Sequence, residues 1–109
     1  AELTVLEGEL SQVVKEINRL AKEKTAEGYK VGIIGTEETV RRYSTGNVKC
    51  IGTRQDEMTV AGNLYGILRD FDSDGTDFIY SESFSTGGIG NAIMNRLLKA
   101  AGQHVIFVK

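Results

Sequence analysis

Proline is missing altogether from these 109 residues, cysteine and histidine occur once each, and no apolar stretch approaches the length of a bilayer. Each scarcity removes a class of protein. A single cysteine, Cys50, closes no internal disulfide, and with the lone His104 it falls short of a recognisable zinc ligand set. That usage suits a reducing, cytoplasmic setting. Without about 20 consecutive apolar residues no membrane-spanning helix is expected, and the first residues lack the basic start and apolar stretch of a signal peptide. An excess of one charge sign is missing too. Lys and Arg number 13 against 15 Asp and Glu, a net charge of −2, so nucleic acid held by bulk electrostatics is not expected and only a small local site remains open. No repeat, low-complexity tract or internal linker divides the chain. Residues 1–109 therefore read as one domain, large enough for a real core and too short for an enzyme with a separate substrate lobe. The chain opens at Ala1 and enters a strand almost at once, from which we expect a unit excised from a longer protein.

What is present is an alternation of apolar runs and amphipathic segments, within an ordinary content of 40% hydrophobic and 26% charged residues. Leu3–Leu6 reads as a strand, and Leu10, Val13, Val14, Ile17, Leu20 and Ala21 then recur at helical spacing until Gly28 stops the helix. Lys30–Gly35 is a second strand, with Thr36 placed to cap a short helix ending near Tyr43. Val48–Ile51 is a third strand, carrying a Cys50 expected to be buried. Thr53-Arg-Gln-Asp56 reads as a capping box before a helix with Val60, Ala61, Leu64 and Leu68 inward. Asp77–Tyr80, a helix built on Ala92, Ile93, Leu97 and Ala100, and His104–Val108 complete a β-α-β-α-β-α-β-α-β order. Apolar strands alternating with helices predict an α/β protein: a three-layer α/β/α sandwich on a mainly parallel, five-stranded sheet. Ligands in such sheets sit beyond the carboxyl ends of the strands, where the segments starting at Gly35, Gly52 and Ser81 and the later glycine loop fall.

That loop, Ser85-Thr-Gly-Gly-Ile-Gly90, precedes a helix start where the amides of Gly88, Gly90 and Asn91 are expected to be unpaired, offering a seat for a phosphate or nucleotide over Gly87–Asn91. Arg96 and Lys99 are placed to add positive charge. Steric need for a tight turn explains the same glycines. Asp70-Phe-Asp-Ser-Asp-Gly75 starts like an EF-hand loop, but Ser81 stands where the bidentate glutamate belongs, and a strand follows. Cys50 and His104 fall on separate strands, which argues against a nucleophile pair. A phosphoacceptor domain of this fold class needs clustered acids that the first and third strands do not supply.

Three segments read together are more specific. Ile51-Gly-Thr-Arg-Gln-Asp56, Ala61-Gly-Asn-Leu-Tyr-Gly-Ile-Leu-Arg-Asp-Phe-Asp72 and Ile89-Gly-Asn-Ala-Ile-Met-Asn-Arg-Leu-Leu-Lys-Ala-Ala101, in this order and spacing, resemble the C-terminal domain of long-form threonylcarbamoyl-AMP synthases. In that family a YrdC-type catalytic domain is joined to this smaller one. The resemblance covers nearly the whole chain, and Lys30–Glu38 fits the family's second strand. It implies a Rossmann-like accessory domain acting in tRNA threonylcarbamoyladenosine modification. ATP (with magnesium), threonine and bicarbonate would be converted to threonylcarbamoyl-AMP by the catalytic domain of the same chain. The resemblance brings no catalytic residue and no metal site here, and no strong tRNA contact is expected of this domain. Ligand or interdomain contacts are expected at Thr53, Arg54, Asp56, Asn63, Arg69, Gly88, Gly90, Asn91, Asn95 and Arg96.

Overall fold

A computed structural model describes residues 1–109. Strand β1 (Glu2–Glu7) leads through helix α1 (Leu10–Ala26) to β2 (Val31–Gly35), and a single 3-10 turn at Val40–Arg42 precedes β3 (Asn47–Cys50). Helix α2 (Glu57–Ser73), β4 (Phe78–Glu82), α3 (Ile89–Ala100) and β5 (Val105–Phe107) complete the chain. All strand pairs are parallel, in the order β3-β2-β4-β1-β5. The expected three-layer α/β/α sandwich is the one found.

Strand direction across the sheet decides the layers. From β1 to β2 to β3 the chain moves toward one edge, and from β3 through β4 to β5 it moves toward the other. Crossovers of one hand then set α1 on one face and both α2 and α3 on the opposite face. Side chains alternate accordingly: Leu3, Val5, Ile34 and Ile79 join α2 and α3, while Leu6, Val31, Ile33 and Tyr80 join α1. Gly32 lacks the side chain that would occupy its place on the α2 face, and the fully buried Phe71 ring lies directly against its backbone.

Four local expectations are corrected. The segment after β2 is not a capped α-helix. The Thr36 amide donates to Thr39 Oγ1 (3.0 Å) and the Val40 amide to the Thr36 carbonyl, so hydroxyl bonds close a compact turn in place of a continuing ladder. Cys50 is exposed, because β3 is an edge strand and its last residue faces outward; Ile51, one residue on, is the buried one. Thr53 does not cap α2. Asp56 does, accepting from the Met58 amide at 3.2 Å. On the helices, Ala61, Ala92 and Ala100 are exposed, and Ile67, Phe71 and Met94 are buried instead. The first helix does end as read, with Gly28 at φ +92° just past it.

Candidate functional site

Strand β4 continues past Tyr80 to Glu82, and that extension creates the most polar cluster of the interior. The Glu82 side chain is fully buried. Its Oε1 accepts from Arg54 Nη2 at 2.8 Å and from Thr36 Oγ1 at 3.4 Å; its Oε2 accepts from Thr39 Oγ1 at 2.6 Å and from the Tyr43 phenol. Arg54 Nη2 also donates to the Ser83 carbonyl at 2.9 Å, and the guanidinium lies 4.8 Å over the Phe84 ring. A second carboxylate holds the same loop from outside: Glu38 accepts from the Thr53 hydroxyl and, at 3.0 Å, from the Arg54 amide. Those two bonds hold the Glu38 carboxyl below its usual range. One buried carboxylate therefore ties together three loops at the carboxyl edge of the sheet: Thr36–Tyr43, Thr53–Asp56 and Ser83–Phe84.

Tyr43 reports on this cluster. Burial first, then the charge and hydrogen bond of Glu82, push its phenol above the ordinary value of 10.0. A raised pKa means that the folded state keeps a proton the unfolded chain gives up, so the stabilisation is complete below about pH 10 and declines above it. We expect urea midpoints to fall more steeply between pH 10 and 11 in the parent than in Tyr43→Phe, with a difference in slope approaching about 1.4 kcal/mol per pH unit. Parallel pH profiles would show that Tyr43 is not held this way.

The residues singled out from sequence separate into distinct places. Arg54 belongs to the Glu82 cluster, with Thr53 beside it on Glu38. Asp56 caps α2, and Asn63 Nδ2 donates to the Ile51 carbonyl at 2.8 Å, pinning α2 to the end of β3. Arg69 stacks 5.4 Å over Tyr65. Asn91 and Asn95 are exposed on α3, and Arg96 turns toward α2, away from the glycine loop. At the loop, the expectation of free amides is corrected: Gly90 donates to the Gly87 carbonyl (3.1 Å) and Asn91 to that of Gly88 (3.2 Å). Gly88 takes φ +56° at the helix start, while Gly90 is required by close approach, since a Cβ there would stand 2.8 Å from the Ser85 carbonyl carbon. Ser85 Oγ donates to both oxygens of Glu57, at 2.9 and 3.0 Å. A phosphate at this loop would lose two of its three expected donors and meet a carboxylate nearby.

Cys50 and His104 adjoin strands on opposite edges of the sheet, which separates them. Asp70 and Asp72 are helical, and Asp74 accepts from the Thr76 amide and hydroxyl. Sequence reasoning missed Glu82, Thr39 and Tyr43. The available signal was an acid closing an apolar strand, Phe78-Ile-Tyr-Ser-Glu82, where an unpaired charge has no place.

Residues 1–102 match the family described as threonylcarbamoyl-AMP synthase, C-terminal domain. A threonylcarbamoyl-AMP synthase of Bacillus subtilis is 48% identical over 92 residues, 84% of this chain and 27% of its own length. One of Pyrococcus abyssi is 38% identical over 108 residues, 99% of this chain and 30% of its own length. The chain thus spans under a third of these curated relatives. The crystal structure of P. abyssi Sua5 complexed with L-threonine superposes with a TM-score of 0.88 at 34% identity, over 100% of this chain and 30% of that one. The C-terminal Sua5 domain from Pyrococcus horikoshii gives 0.77 at 34% identity, over 99% of this chain and 97% of that one. The chain belongs to the family of threonylcarbamoyl-AMP synthase C-terminal domains.

Proposed function

We propose that this domain is the accessory, non-catalytic part of a threonylcarbamoyl-AMP synthase, and that it serves tRNA threonylcarbamoyladenosine modification by supporting or gating a YrdC-type catalytic domain on the same chain. ATP with magnesium, threonine and bicarbonate are then handled by that other domain, in the cytoplasm. The observation that carries this reading is the closure of the polar cluster at the carboxyl edge. Both oxygens of Glu82 are engaged by four side chains of the domain itself, so the group best placed for chemistry is spent on holding loops. A rigid unit tethered to a neighbour acts at an effective concentration in the millimolar range, so a weak contact suffices to regulate access.

Adenylate formation by the full-length synthase with and without this domain tests the role. We expect deletion to change kcat or the threonine KM by about tenfold, the scale on which positioning and lid contacts act. Unchanged rates and substrate affinities would remove the gating role.

A further inference from the structure

Helices α2 and α3 both start at the carboxyl edge and run side by side, and the outward seam between them is a groove of about 460 Å³. Its floor and walls are Leu64, Tyr65 and Leu68 from α2 and Ala100 with the stems of Arg96 and Lys99 from α3. A smaller hollow of about 210 Å³ continues it past Ala61 and Ala92. Helical spacing brings two further apolar residues to the same seam, Met58 on α2 and Ile89 on α3. Met58 is 62% exposed, Tyr65 64% and Ile89 39%, so three of the five large apolar side chains left in solvent share this face. From Met58 to Leu68 the seam runs about 15 Å, the length of about three helical turns.

Charge gives the face a sign. Arg96 and Lys99 line the groove and Arg69 stacks on its Tyr65 wall, none of the three in an ion pair; the acids, Glu57 bonded to Ser85 and Asp72 in the hollow that shares Leu68 and Ala100, stand only at its two ends. Gly62 and Gly66, one turn apart on the outer face of α2, have nothing within 4 Å of where a Cβ would stand. The fold itself needs neither glycine, and both weaken the helix relative to alanine.

We propose that the α2–α3 groove seats an acidic amphipathic helix supplied by the rest of the synthase chain. The proposal rests on the accessory role argued above. The apolar stripe fits anchors at i, i+3 or i+4 and i+7, and the unpaired cations fit Asp and Glu on the flanks of the same helix. Its source follows from length: this domain is 27% and 30% of two relatives, so most of such a chain lies beside it, at high effective concentration.

The test uses the full-length synthase with the photoreactive residue p-benzoylphenylalanine in place of Tyr65. Irradiation and mass spectrometry are expected to give an intramolecular cross-link to an acidic, apolar-striped helix outside this domain. Adding Arg96→Glu and Lys99→Glu, two exposed changes that leave the thermal melt in place, is expected to lower its yield about tenfold. A cross-link between two copies of this domain, a cross-link to tRNA, no cross-link, or a yield indifferent to charge reversal would each overturn the assignment. The two readings fail separately. If deleting the domain alters adenylate formation but Tyr65 finds no such helix, the accessory role stands and the groove assignment falls; a cross-link with unaltered rates upholds the seat and removes the gating.

Discussion

Glu82→Ala is expected to destabilise the fold by about 2–4 kcal/mol, the scale of breaking a buried, hydrogen-bonded ion pair from one side. The loss exceeds that of one contact because four donors converge on the carboxylate. Without it, the Arg54 guanidinium keeps its charge in a largely buried place, and the hydroxyls of Thr39 and Tyr43 face a cavity. Arg54→Ala should cost a similar amount, since it leaves the fully buried Glu82 carboxylate without its cation, a loss that the three remaining hydroxyl donors offset only in part. For a domain of this size the Glu82 change corresponds to a fall in Tm of about 10–20 °C. Urea unfolding of both variants measures the two losses directly. A Glu82→Ala loss below about 1 kcal/mol would mean that the three loops are held by backbone and apolar contacts, with the carboxylate incidental.

Phe71→Ala is the second large effect, expected at about 3–5 kcal/mol for emptying a fully buried aromatic position. Its partner is an absence. The ring of Phe71 occupies the space that a side chain on Gly32 would take, a Cβ there lying 2.7 Å from Phe71 Cδ1. Gly32→Ala alone should therefore cost about 1–3 kcal/mol by overpacking. In the Phe71→Ala background the same change should be close to neutral, because the methyl enters vacated space. A double-mutant cycle by chemical denaturation should return a coupling of about 1–3 kcal/mol. Additive effects would show that the ring shifts freely and that the contact exerts no strain.

How legible the domain was depends on how far each interaction reaches along the chain. The strands and the faces of α1 were readable because burial repeats at a fixed spacing: Val13, Val14, Ile17 and Ala21 are all inside, as their periodicity implies. Asn63 and Arg54 stood out through the resemblance, and both make specific contacts. The turn after β2 was misread because Thr36 and Thr39 answer to Glu82, more than forty residues away, and no local pattern contains that partner. Cys50 was misread because a four-residue run, Val48-Lys-Cys-Ile51, is too short for its alternation to show which of its side chains face outward. The glycine loop looked like an anion seat because spacing shows which residues lack side chains; it does not show that their amides bond back within the turn.

Hydrophobic spacing thus determined the α/β class, and the resemblance of three motifs, carried in linear order along the chain, pointed to the family. Only the tertiary structure decided the strand order, the buried Glu82 cluster and the groove between α2 and α3. Each arises where residues distant in sequence meet, and what a charge or an apolar face does there is set by the partners that desolvate it or leave it uncovered.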